Sequence, residues 1–181
     1  MKVLITFADG FEEIEAITCV DVLRRAGIDV ITASLKEKTV RGAHNLEIIS
    51  DSFLADVKID ELDGIVLPGG MPGSINLRDS RDIIEIVKEL YRRNKLIAAI
   101  CAAPLVLERA GVITNKNITC YPGIEVDLKS ASYTGDRVVV DGNIITGKGP
   151  GAAHEFAIKI VEYLVGEDKA GKLKKSMIAD F

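Results

Sequence analysis

The 181-residue chain has no tryptophan, no glutamine and only two histidines. It has three cysteines, Cys19, Cys101 and Cys120, and no Cys-x-x-Cys pair. Three thiols cannot all pair internally, so free cysteines in a reducing cytoplasm are expected. Two histidines, neither beside a cysteine, fit none of the usual structural zinc patterns. Long apolar runs are missing too. The longest, Leu96 to Leu107, spans 12 residues and includes Pro104, whereas a bilayer-crossing helix needs about 20. The start, Met1-Lys2-Val3-Leu4-Ile5, turns acidic by Asp9 and lacks the apolar core of a signal peptide. Basic residues are outnumbered, 23 against 27, giving a net charge of −4. With no basic block before Lys169 to Lys175, nucleic acid is not expected as the main partner.

What is present fits one domain over residues 1–181. At this length about 70% of the unfolded surface is buried on folding. Apolar residues at 48% and charged residues at 28% suit a globular core. No repeat or linker interrupts the chain. The absence of glutamine beside 23 isoleucines leans toward a hot environment.

Strand and helix patterns alternate. Lys2 to Ala8 reads as a buried strand. Asp9 is predicted to open a helix, with Glu12 completing a capping box. Ala16, Cys19, Val20, Leu23 and Ala26 keep helical spacing until Gly27. Ile28 to Ser34 is a second strand, Thr39 to Ser50 a small hairpin, and Gly64 to Leu67 a buried strand ending at Pro68-Gly69-Gly70. Asp82 to Arg93 is a helix, Leu96 to Ile100 a strand, and Pro104 to Ala110 a helix. Arg137 to Val140 and Asn143 to Thr146 flank Asp141-Gly142, a strong hairpin signal. A helix follows from about Ala152, Gly166 breaks it, and a basic helix runs to about Ile178. Repeated β-α-β units predict a mostly parallel sheet with helices on both faces. Reactive sites in such sheets lie beyond the carboxyl ends of the strands.

One strand end stands out. Ala98-Ala99-Ile100-Cys101-Ala102-Ala103-Pro104 passes from strand to helix almost without a loop, and small residues surround the cysteine. This is the pattern of a nucleophile elbow with sulfur in place of oxygen. A thiol there would face helix-start amides that favour the thiolate. The Ala102 amide, with that of Gly70, could bind a developing oxyanion. The plainer alternative is a cysteine packed as a small hydrophobe. Gly69 and Gly70 would let their backbone approach the sulfur. Cys19 lies on an apolar helix stripe and reads as core. Cys120, before Tyr121-Pro122, reads as packing or as site lining. Glu12, Glu13 and Glu15 crowd one helix start, where acids complement the dipole. Glu15, on the apolar side beside Ala16, could instead be a protonated partner for Cys101. His44 and His154 are candidate bases or surface residues. Gly142 to Lys148 mimics a phosphate loop but lacks the following Ser or Thr and falls in the hairpin.

Together, Glu12-Glu13-Ile14-Glu15, Leu67-Pro68-Gly69-Gly70, Ala99-Ile100-Cys101-Ala102-Ala103-Pro104 and Gly149-Pro150-Gly151 resemble the ThiJ/PfpI superfamily, nearest its Parkinson-disease-associated deglycase branch. The resemblance runs essentially end to end. It implies a flavodoxin-like three-layer sandwich, usually a homodimer, related to class I glutamine amidotransferases. It implies Cys101 as the reactive, oxidation-prone cysteine, Glu15 as its protonated partner, and Gly70 and Ala102 as oxyanion donors. Arg25 matches an arginine near the site and dimer contact. The activities implied are glutathione-independent glyoxalase or deglycase chemistry on methylglyoxal or its adducts, or a role as oxidative-stress sensor or chaperone. No metal or organic cofactor is implied. Two departures matter. Ala102 stands where PfpI-like peptidases carry histidine, which disfavours a peptidase. Tyr121-Pro122 stands where many relatives have His-Pro, so proton shuttling is expected to fall to Glu15 or water, or Tyr121 to orient the substrate. His44 falls where relatives often have arginine and is expected at the entrance.

Overall fold

The computed structural model describes residues 1–181. In chain order the elements are β1 (Lys2–Phe7), α1 (Glu13–Arg25), β2 (Asp29–Ser34), β3 (Thr39–Arg41), β4 (Glu47–Ile49), β5 (Ser52–Phe53) and β6 (Gly64–Leu67). Then come α2 (Gly73–Asp79), α3 (Arg81–Arg92), β7 (Leu96–Ile100), α4 (Pro104–Ala110), β8 (Asn117–Ile118) and β9 (Ser132–Tyr133). The last are β10 (Val138–Asp141), β11 (Ile144–Gly147), α5 (Ala153–Val165) and α6 (Glu167–Ser176).

Successive strand side chains leave opposite faces, and here both faces are apolar. Val3, Ile5 and Phe7 of β1 enter one core cluster and Leu4 the other. Leu96, Ala98 and Ile100 of β7 join the first, while Ile97 and Ala99 join the second. Strands buried this way must be covered on both sides. The first cluster is completed by Cys19, Val22 and Leu23 of α1 and by Phe156, Ala157 and Ile160 of α5. The second is completed by Leu77 of α2, Ile83, Val87 and Leu90 of α3, and Val106 and Leu107 of α4. The result is a three-layer α/β sandwich. Its seven strands run β10-β11-β7-β6-β1-β2-β5, all parallel except the β10–β11 hairpin. That order places the carboxyl ends of β1, β6, β7 and β11 side by side.

Several expectations shift. The first helix starts at Glu13, not Asp9, and Glu12 makes no capping side-chain bond. Asp9 is used elsewhere: its Oδ1 accepts from the Arg41 amide at 3.0 Å. Gly10 donates to the Arg41 carbonyl at 2.8 Å, and Phe11 is buried edge-on against Phe7, with ring centres 4.8 Å apart. These contacts tie the β3–β4 hairpin to the entry of α1 before the helix can begin. The hairpin pairs Thr39 with Ile49 and Arg41 with Glu47, within the predicted segment. The late hairpin turns at Gly142-Asn143 rather than Asp141-Gly142, because Asp141 pairs with Ile144, and both strands lie one residue later than read from sequence. Helix α2, which the sequence reading did not include, starts at Gly73 directly after Pro72.

Candidate active site

Cys101 is the first residue past β7 and has φ +64°. A side chain in this left-handed region costs on the order of 1–2 kcal/mol, so the surroundings must hold it there. They do so from three sides. The Cys101 amide donates to the Gly147 carbonyl at 2.9 Å, its own carbonyl accepts from the Tyr121 amide at 2.9 Å, and Ala103 donates to Ile100 at 3.0 Å. Pro104 then opens α4. The predicted strand-to-helix elbow is present, and the Gly70 and Ala102 amides act on the thiol to lower its pKa.

Glu15 reaches the same point from α1. It is fully buried, and its Oε2 accepts from the Gly69 amide at 2.8 Å. Its Oε1 is buried without a conventional partner, and the carboxyl interacts with the Cys101 thiol. Gly69 is wedged between the two. A Cβ there would lie 2.5 Å from the Cys101 Cβ and 2.6 Å from Glu15 Oε2. Any larger residue would push the pair apart. Gly70, with φ +89°, turns the chain so that its amide faces the sulfur.

Burial pushes the Glu15 carboxyl up from 4.5 to about 7, against the pull of the Gly69 amide and the thiol. Burial also pushes the Cys101 thiol up to about 12; the Glu15 carboxylate adds to this, and the Gly70 and Ala102 amides oppose it. The expectation of a depressed thiol pKa therefore fails while Glu15 is ionised: desolvation and the facing charge outweigh two amides. Protonating Glu15 removes that charge and turns the carboxyl into a donor. The two groups thus share one proton, and the pair titrates as a unit.

Above the sulfur lies an open cleft of about 660 Å³. Ile14, Leu46, Met71, Ile124 and Pro150 make it apolar, and Tyr121 forms one wall, packed over Gly149. Glu12, Glu13 and His44 form the polar rim, with no lysine or arginine among the lining residues. A separate cavity of about 380 Å³ beside Asp9, Ser34 and Asn76 contains no cysteine or histidine.

Of the sequence-predicted residues, the fold gathers Cys101, Glu15, Gly69, Gly70, Ala102, His44 and Tyr121. Arg25 is not among them. It closes the far end of α1, pairs with Asp21 at 2.6 Å and is solvent-exposed. Twelve residues of helix separate it from Glu13, about 18 Å of rise. His44 serves the rim rather than the thiol. Its Nδ1 lies 2.8 Å from Glu13 Oε2, and Glu13 hydrogen-bonding raises its pKa. His154 is exposed on α5 and outside the cleft lining. Cys19 and Cys120 are fully buried in the two cores. Gly142 to Lys148 is the turn and second strand of the late hairpin, as the rejection of a phosphate loop required. Glu13 was read only as a dipole partner. Its Oε1 also accepts from the His44 amide at 2.6 Å, a link of 31 residues that no local spacing signals.

The DJ-1/PfpI family profile matches residues 1–163. The chain is 42% identical to Protein dj-1beta of Drosophila melanogaster, over 98% of its own length and 97% of the relative's. The crystal structure of that protein superposes with a TM-score of 0.96, covering 99% of this chain and 98% of the other. The glutathione-independent glyoxalase DJR-1.2 of Caenorhabditis elegans is 39% identical, with 92% and 89% coverage. Protein DJ-1 homolog B of Arabidopsis thaliana is longer: the match, 37% identical, takes in 98% of this chain but 41% of that protein.

Proposed function

The chain belongs to the DJ-1/PfpI family, and from that premise we propose that it is a cysteine-dependent, glutathione-independent glyoxalase acting on methylglyoxal or its adducts. The observation carrying this reading is the buried Glu15 carboxyl set against the Cys101 thiol, with only Gly69 between them. A small, uncharged 2-oxoaldehyde also suits an apolar cleft without a fixed cation.

Sulfur would add to the aldehyde carbon as the thiol proton passes to Glu15, giving a hemithioacetal. The new oxyanion would sit near the Gly70 and Ala102 amides. Glu15 would then carry the proton between carbon and oxygen, through an enediol, to a lactate thioester. Water would cleave the thioester, releasing lactate and restoring the thiol. Methylglyoxal plus water equals lactic acid, so no oxidant, metal or organic cofactor enters the balance. Glu15, near neutrality at about 7, suits a group that must both take and return a proton. Tyr121 would orient the substrate as one wall of the cleft. Deglycation would use the same attack on a hemithioacetal or hemiaminal adduct.

Purified protein with methylglyoxal should yield lactate, and Cys101→Ala should abolish it. Unchanged turnover in that variant refutes the mechanism. A second reading, an oxidation sensor, is favoured by one fact: Cys101 alone of the three cysteines meets a cleft. A peptidase of the Cys-His kind lacks its histidine base, since His44 is engaged with Glu13 and His154 lies outside the cleft. A homodimer is supported by exposed Ile14 and Ile17 on α1 and exposed Leu46 and Ile49 of the hairpin segment, apolar side chains suited to a second copy. A cytoplasmic location is supported by three free thiols.

A further inference from the structure

The rim of the cleft concentrates negative charge in an unusual way. Glu12 and Glu13 adjoin at the start of α1, and their side chains are only 12% and 7% exposed. Glu13 is committed to the β3–β4 loop. Its Oε1 accepts from the His44 amide at 2.6 Å, and its Oε2 faces His44 Nδ1 at 2.8 Å. Glu12 is different. No hydrogen bond reaches its carboxyl, and its one cationic neighbour is His44 Nδ1 at 3.6 Å. Two adjacent, largely buried carboxylates face a single imidazole, with only the start of α1 to offset the remaining charge.

We propose that Glu12, Glu13 and His44 form a binding site for one divalent transition-metal ion of zinc-like preference, at the rim of the Cys101 cleft. One donor atom from each lies within 4.8 Å of the others. A tetrahedral zinc ion with bonds of about 2.0 Å holds its ligands about 3.3 Å apart, so the two carboxylates, within 4.8 Å of each other, would close by up to about 1.5 Å, while the His44 pairs at 2.8 and 3.6 Å need smaller shifts. One imidazole with two carboxylates suits zinc, copper or nickel better than calcium or magnesium, which prefer all-oxygen sets. The His44 side chain is 71% exposed, so water from the cleft mouth can take a fourth position. The expectation of a chain without metal is revised at this rim alone, because Cys101 is not among the ligands. The bound ion would neutralise the Glu12–Glu13 charge and fasten the hairpin to α1.

The test is zinc titration by calorimetry into the full chain carrying Cys101→Ala, which removes the competing thiol. His44→Ala and Glu12→Gln are added singly to that background, and cobalt absorption reports coordination. One zinc ion per chain is expected, with roughly tenfold or greater weakening in each added variant and tetrahedral cobalt bands lost in both. No binding by the parent overturns the site, as does unchanged affinity in either variant. If His44→Ala acted only by loosening the hairpin, Glu12→Gln, which removes no hydrogen bond, would bind zinc normally. That result also overturns the proposal.

Discussion

Replacing Glu15 by glutamine is expected to stabilise the protein at alkaline pH while silencing it. An unfolded glutamate releases its proton near 4.5, whereas the buried carboxyl holds it to about 7. Below 4.5 both states are protonated and the group costs nothing in charge. Between 4.5 and about 7 the folded state keeps a proton the unfolded chain has shed, so stability falls as pH rises. Above about 7 the whole penalty stands, and at 1.36 kcal/mol per pH unit it is about 3 kcal/mol. Full burial of Glu15 means that solvent screening does little to reduce it. Glutamine keeps the shape, and its amide oxygen still accepts from Gly69, but the charge is gone. Urea unfolding at pH 5 and pH 8.5 checks the claim. Parity within about 1 kcal/mol is expected at pH 5, and an advantage near 3 kcal/mol at pH 8.5. For a domain of this size that corresponds to roughly 6–12 °C in melting temperature. An offset equal at the two pH values would refute the reasoning, since it would place the effect in packing rather than in a shared proton.

The same pair sets the pH profile of turnover. kcat/KM for methylglyoxal should fall about tenfold per pH unit below about 7, as Glu15 loses the capacity to take the thiol proton; a profile flat from pH 5 to 8 would contradict this. Gly69→Ala should keep the fold at a cost of about 1–3 kcal/mol, the usual range for an overpacked core, and should lose most lactate formation, because its Cβ would overlap both Cys101 and Glu15. Wild-type turnover in that variant would mean the pair is not needed. Brief peroxide exposure followed by peptide mass spectrometry should modify Cys101 and spare Cys19 and Cys120, which are fully buried. Equal labelling of all three would remove the sensor reading.

The central elements were legible because burial leaves a direct trace. A strand covered on both faces reads as an unbroken apolar run, and β6, β7 and α4 are found where their residues place them. Cys101 was legible because small residues and Pro104 crowd the junction. Glu15 was harder. Its position beside Ala16 admitted a role in the site, but only the family resemblance set it apart from Glu12 and Glu13. The first-helix start was misread because Asp9 looks like a cap, and only the folded chain brings it to the Arg41 amide. The Glu13–His44 contact was invisible for the same reason: it depends on where a hairpin lands, not on local spacing. Arg25 was carried over by resemblance, and helix length alone places it away from the cleft of its own chain.

The shared proton also bears on which of the two readings dominates. With Glu15 ionised, burial and the facing carboxylate hold the thiol near 12, so at neutral pH that form contains almost no free thiolate. Peroxide reacts with thiolate, and so it meets mainly the less populated form in which the proton has moved to Glu15. An aldehyde substrate faces no such barrier, since carbon–sulfur bond formation and proton delivery to Glu15 proceed together. A site built only for sensing gains from a standing thiolate, and a facing carboxylate works against one. A site built for turnover gains from a base that is empty before attack and filled after it. The orientation of Glu15, with one oxygen anchored on Gly69 and the other left without a conventional partner, matches the second requirement. The arrangement thus supports the proposed turnover over the sensor reading, with oxidation as a property of the same sulfur.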